Sequence, residues 1–266
     1  MNLSVFFYCL PEGPPDNNPF AHSIVCLAEG LSQLGVPFYS NLNYWQKSLV
    51  EGDYLLKYDP NVTPDDCAIV VMEHNWYFYK NRTMPDGLFH TKRKYLTVYI
   101  DPSDDWACES WKPEFRQFDL ILKTHYNRSY QYPSNVYPWA FGLSERILQQ
   151  TRNSQPYKLR QKSILANFRV SHSVREKAIT EFLPLLQKIL PMDRTTDTLS
   201  NDNFPTEPYD RLLWEMTGRR HYPTYYAKLK ESAASACFGG SFGGPFYPRN
   251  FGAPPRRRHR VLNKLL

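Results

Sequence analysis

The sequence predicts an α/β protein with parallel strands, arranged as two consecutive halves of which the second is incomplete. Three observations carry this. Apolar runs without alternation recur through the first 140 residues, and such runs suit strands buried on both faces of a parallel sheet. A helical stripe of Ile24, Leu27, Ala28, Leu31 and Leu34 separates the first two runs, as a β-α-β crossover requires. A second strand–loop–helix opening then follows at Ser163.

Leu3–Leu10 is the first strand, and Pro11-Glu-Gly-Pro-Pro15 ends it. The loop Pro11–Asn18 lies above a carboxyl strand end, where ligands of such sheets bind. Asn18-Pro19 supplies an N-cap and then proline at the first helical position, where a missing N–H costs nothing. Gly35 stops that helix, Pro37 keeps it stopped, and Val36–Ser40 is the second strand. Asn41–Tyr58 is mixed and aromatic, the pattern of a helix or loop insertion. Asp66–Met72 is the third strand and ends at Glu73-His74-Asn75-Trp76. Arg82–Gly87 is turn-like, Arg93–Ile100 is the fourth strand, and Asp101-Pro-Ser-Asp-Asp105 follows it at once. Phe118–Lys123 is the fifth strand, ending near His125, and Asn135–Ala140 is a short sixth. Polar residues therefore gather after the carboxyl ends of strands one, three, four and five, the signature of a Rossmann-like binding edge.

The first half covers residues 1–150, and the patternless polar stretch Thr151–Lys162 reads as a linker. The second half, residues 163–244, opens with the strand Ser163–Phe168. Ser173 and Glu176 form a capping box ahead of the stripe Val174, Ala178, Phe182, Leu185, Leu186 and Ile189, with a kink expected at Pro184. Arg194–Pro208 is a polar loop, Tyr209–Thr217 and Thr224–Ser232 are helices, and Ala234–Phe238 is a short strand. Residues 245–266 are rich in Gly, Pro and Arg and are expected to be disordered.

Composition narrows the function. At 42% apolar, the 266 residues can bury a real core. Aromatics reach 15%, which serves either interior packing or stacking on sugar rings and bases. The net charge of +6 sits in the tail, in Arg249, Arg256, Arg257, Arg258, Arg260 and Lys264. Residues 1–248 then balance 26 basic against 26 acidic side chains, so no specific nucleic-acid face is indicated. Five scattered cysteines without a C-x-x-C point to a reducing compartment and away from zinc. The segment Met1–Leu10 is too short and lacks the basic flank of a signal peptide, and no apolar run reaches the ~18 residues of a membrane span. A cytoplasmic protein is expected, with peripheral membrane association left open.

The candidate chemistry lies at strand ends. His22, His74 and His125 lie near carboxyl strand ends or an adjacent helix start, where imidazole can act as a general base or be an ordinary hydrogen-bonded residue. Asp101, Asp104 and Asp105 can hold a cation or cap a turn. Arg169 and Arg175 flank the first helix of the second half, and guanidinium with helix N-terminal amides suits a diphosphate.

Two consecutive Rossmann-like halves, each with a capped helix soon after its opening strand, resemble the GT-B glycosyltransferases. Ser163–Glu176 resembles the opening of their donor domain. Tyr226-Ala-Lys-Leu229-Lys-Glu-Ser232 with Cys237-Phe-Gly-Gly240 resembles the Y-x-x-L-x-x-S segment of exostosin-like transferases, although the cysteine comes later after the serine. The resemblance spans roughly residues 1–240. It implies an acceptor on the first half, a nucleotide-sugar donor on the second, no cofactor and no obligatory metal. It further implies that His22 or His74 deprotonates the acceptor and that Arg169 and Arg175 steady the leaving diphosphate, with Asp101, Asp104, Asp105 and His125 as acceptor or supporting groups. The acidic residue expected after the glycine-rich turn is absent, since Gly240 runs into the Gly/Pro/Arg tail. Either the chain is a minimal relative or its reading frame was lost near Gly240, and the abrupt change of composition favours the second; whether the chain is itself active is left open by the sequence. A non-enzymatic glycan- or protein-binding module, or nucleic-acid binding through the tail, are the alternatives.

Overall fold

The computed structural model of the chain describes residues 3–9, 22–48, 50, 52–79, 83–103, 112–140, 142–166, 173–193, 208 and 223–236. Its centre is a six-stranded sheet in which every pair of neighbours is parallel. The strands are β1 (Val5–Tyr8), β2 (Phe38–Ser40), β5 (Ile69–Glu73), β6 (Leu96–Asp101), β7 (Leu120–Lys123) and β8 (Val136–Pro138). Their order is β2-β1-β5-β6-β7-β8. The chain thus starts in the interior, builds one neighbour, then crosses to the other side of β1, so the order reverses between β1 and β5. In open α/β sheets that reversal opens a crevice above the carboxyl strand ends.

The helix α1 (His22–Gln33) covers one face of the sheet. Ile24 and Ala28 pack there with Val5, Phe7, Val71, Val98 and Ile100. The expected stop at Gly35 is present. Gly35 has a φ of +68°, its N–H bonds to the Ser32 carbonyl, and the Val36 N–H reaches the Leu31 carbonyl. These are the paired bonds of a Schellman ending, which only glycine adopts without strain. The opposite face carries Phe6, Val70, Met72, Tyr99 and Ile121, and Phe115, Phe118, Leu88, Tyr95 and Tyr77 cover it. Aromatic edge-to-face contacts join this layer, with Tyr99 and Phe115 ring centroids 4.7 Å apart.

The structure departs from expectation in several elements. Asn41–Tyr58 is neither helix nor plain loop: β3 (Tyr44–Gln46) and β4 (Tyr54–Leu56) form an antiparallel hairpin. Each strand is three residues long and buries one side chain, Trp45 or Leu56, too little for a readable alternation. The residues after β5 continue as a short helix, α2 (His74–Tyr79). β5 and β6 each run one residue further than expected and take in Glu73 and Asp101. The sheet register extends them, since Glu73 pairs with Ile100 and Asp101 with Lys123.

After β8 the chain returns across α1. Ser144 caps α3 (Glu145–Thr151), accepting from the Ile147 N–H. The expected linker begins at the end of α3, passes a 3-10 turn at Tyr157–Leu159 and enters β9 (Gln161–Leu165). β9 is the middle of a second parallel sheet of order β10-β9-β11, with β10 (Met192–Asp193) and β11 (Ser232–Ser235) beside it. Between β9 and β10 lie α4 (Ser173–Lys177), a π-helical turn (Ala178–Phe182) and α5 (Leu183–Gln187). Pro184 has no N–H and its ring crowds the carbonyl four residues back, and the wide turn just before it absorbs the lost bond. The last helix, α6 (Pro223–Glu231), packs against α3 and leads straight into β11, two residues earlier than expected. The start of the first helix at Asn18-Pro19, the helix expected at Tyr209–Thr217 and the tail 245–266 lie outside the described residues.

Candidate functional site at the carboxyl edge

The carboxyl ends of β1, β5, β6 and β7 bring together Cys9, Glu73, His74, Asp101, Ser103 and Lys123. Parallel pairing aligns these ends, so charged residues that terminate neighbouring strands meet there. The Asp101 and Lys123 side chains are both fully buried, and Lys123 Nζ lies 3.5 Å from Asp101 Oδ1. The ammonium also donates to the Ser103 carbonyl at 2.9 Å and to Ser103 Oγ at 3.0 Å. Ser103 in turn donates its N–H (3.0 Å) and its hydroxyl to Asp101 Oδ1. The other oxygen, Asp101 Oδ2, is buried without a hydrogen-bond partner among the described residues.

Glu73, 2% exposed, ends β5 beside the strand-order reversal. Burial pushes its carboxyl up to about 8, against an opposing hydrogen bond from the Asn75 side chain. Its Oε1 also has no partner among the described residues. Burial raises the Cys9 thiol too, and the nearby Glu73 adds to that rise. The turn after β2 is tied to the same edge, because the Cys9 N–H donates to Asn41 Oδ1 and Asn41 Nδ2 donates to the Cys9 carbonyl at 3.2 Å.

Of the two histidines expected to act as bases, His74 is half-buried at the first position of α2, and its Nδ1 shares a 2.9 Å hydrogen bond with the Tyr99 hydroxyl. His22 is buried at the first described position of α1. Its Nε2 donates to the Gly142 carbonyl at 2.7 Å, and Cys26 Sγ lies 3.4 Å away. Burial lowers its pKa, the Gly142 bond opposing, which favours a neutral ring. This contact belongs to a clamp that holds the returning chain. The Glu145 N–H donates to Glu29 Oε2 at 2.7 Å, Arg146 Nη2 donates to the Gln46 carbonyl at 2.9 Å, and the Arg146 guanidinium lies 4.4 Å from the Trp45 ring centre. His22 thus takes part in this clamp.

His125 is half-buried just beyond β7, and Arg175 lies in α4 on the second sheet. Asp104, Asp105 and Arg169 lie outside the described residues. Glu73 and Lys123 were not singled out from sequence. The available signal was a charged residue closing an otherwise apolar strand, which in a sheet buried on both faces must be paired or neutral. Among the described residues no group of three or more His, Cys, Asp or Glu could hold a metal ion, and no helix is long and apolar enough to cross a membrane. Compared with protein-family models, curated proteins and solved structures, the chain gives no match.

Proposed function

We propose that the chain is a glycosyltransferase-like protein of GT-B type, built from two Rossmann-like halves, that transfers a sugar from a nucleotide-sugar to a hydroxyl acceptor. One observation supports it above the rest. Both parallel sheets begin with the same order, the opening strand between its two successors, in β2-β1-β5 and again in β10-β9-β11. Repeated halves of this kind give one face to an acceptor and the other to a donor. The acceptor would sit over the carboxyl edge of the larger sheet, where His74, directly after β5, would take the hydroxyl proton. Arg175, with Arg169, would oppose the charge that develops on the leaving diphosphate.

The test is a transfer assay with uridine, guanosine and adenosine diphosphate sugars against a mixed panel of glycan acceptors, run alongside calorimetry of each donor alone. One donor should bind and be consumed, and chelator should leave turnover unchanged. Arg175→Ala should weaken donor binding, and His74→Gln should slow turnover roughly 10²–10⁴-fold without doing so. If no donor binds, or if His74→Gln turns over at the wild-type rate, this reading is wrong.

A further inference from the structure

Two carboxyl oxygens at the carboxyl edge are buried without partners among the described residues, Glu73 Oε1 and Asp101 Oδ2. Their residues end neighbouring strands, with Glu73 opposite Ile100 and Asp101 one position further along. They flank the edge from its two faces. Glu73 lies on the side of Ile100 and Cys9, and Asp101, two residues after Tyr99, lies on the side of Tyr99. Folding does not leave buried oxygens unbonded without reason, and here Glu73 lies beside the crevice where the strand order reverses, with Asp101 at the end of the next strand.

The charges around these oxygens determine what can satisfy them. Asp101 is already balanced by Lys123, so it does not need a cation. An ammonium has three protons to donate, and Lys123 has three oxygens within reach, Asp101 Oδ1 and the two of Ser103. Its side chain is fully buried against these oxygens, so a phosphate or a carboxylate would have to displace them. Among the described residues no Lys or Arg pairs with Glu73, and burial keeps its carboxyl neutral through most of the range below pH 8. A neutral carboxyl offers one O–H donor and a remaining acceptor, which is the complement of an alcohol.

We propose that Glu73 and Asp101 form a hydroxyl-binding pair, and that the molecule received at this edge is an uncharged glycan rather than a phosphorylated or acidic sugar. This rests on the glycosyl-transfer reading for the role of the bound glycan as acceptor, but the binding itself does not need a donor. Asp101 Oδ2 accepts from one hydroxyl, and Glu73 exchanges a hydrogen bond with another.

Saturation-transfer NMR without any nucleotide-sugar tests the pair. The probes are the methyl glycosides of glucose, galactose and mannose, with lactose and maltose, set against glucuronate and glucose 6-phosphate. Neutral probes should bind and the two acids should not. Glu73→Gln keeps a donor and an acceptor and should bind within about threefold of wild type. Glu73→Met removes both and should weaken binding about tenfold, the loss of one hydrogen bond. It should also raise the melting temperature, because an apolar side chain leaves no oxygen unbonded. Four results would overturn the proposal: tighter binding of the acids, no binding of any neutral probe, unchanged affinity in Glu73→Met, or a lower melting temperature in that variant. Glycan binding without donor turnover would defeat the transfer reading and leave the pair standing. Donor turnover with glycan affinity unaffected by Glu73→Met would do the reverse.

Discussion

Replacing Lys123 by Met keeps most of the aliphatic stem of a fully buried side chain and deletes its charge. The ammonium lies 3.5 Å from Asp101 Oδ1, and at an effective dielectric of about 20 that attraction amounts to about 5 kcal/mol. Two bonds from Ser103 to the same oxygen survive the substitution, so the carboxylate is not stripped of all partners. Breaking a buried pair by removing one member typically costs about 3–5 kcal/mol, and Lys123→Met should fall in that range. Urea unfolding followed by circular dichroism measures it, with an unchanged slope confirming that only stability moved. The double variant Lys123→Met/Asp101→Leu removes both charges, and replacing a whole buried pair by apolar groups is often neutral or better. It should therefore recover most of the loss. A single variant that loses less than about 1 kcal/mol, or a double variant less stable than the single one, would refute the claim that the ion pair governs this edge.

The clamp under α1 is tested by Gly142→Ala. A Cβ there would stand 2.7 Å from Cys26 Cβ and 3.1 Å from its sulfur, and such overpacking costs about 1–3 kcal/mol. Adding Cys26→Ala should relieve only the sulfur contact and recover little, so full recovery in a thermal melt would contradict the packing. Glu73 supplies a pH dependence. Its folded pKa is raised from 4.5 to about 8, so the neutral form favours folding; that contribution is complete below 4.5 and is lost as pH rises toward 8. The fall should total roughly 3–5 kcal/mol across that window. Glu73→Gln should flatten it, and parallel stability curves for the two proteins would show that Glu73 titrates normally.

The central sheet was legible because parallel strands buried on both faces announce themselves as contiguous apolar runs. Val5–Tyr8, Ile69–Glu73 and Leu120–Lys123 all lie within or against such runs. The end of α1 was legible because Gly35 is required by a local backbone conformation. The hairpin was not. Trp45 holds a φ of +62°, an unusual state for a bulky residue, and the guanidinium that covers its ring comes from Arg146, far along the chain. The candidate edge was legible only as a set of loops. That Glu73 and Asp101 are buried, and that Lys123 meets Asp101, follows from strand register, and no single strand records its neighbour's register. His22 shows the same limit: a histidine beside a helix start reads alike whether it faces a ligand or a carbonyl 120 residues away.

That separation also has a consequence for synthesis. The buried side of α1 that carries His22, Cys26 and Glu29 gains its cover only when Gly142–Arg146 arrives. At roughly 5–20 residues per second on the ribosome, the 120 intervening residues take about 6–24 s to emerge. For that interval a nascent chain with β1, β2 and α1 already formed presents an uncovered helix flank and an incomplete sheet to the surrounding solution. The contact that covers this flank is thus also the one that ends its window for wrong partners, and chaperone demand should track translation speed between codons 22 and 146.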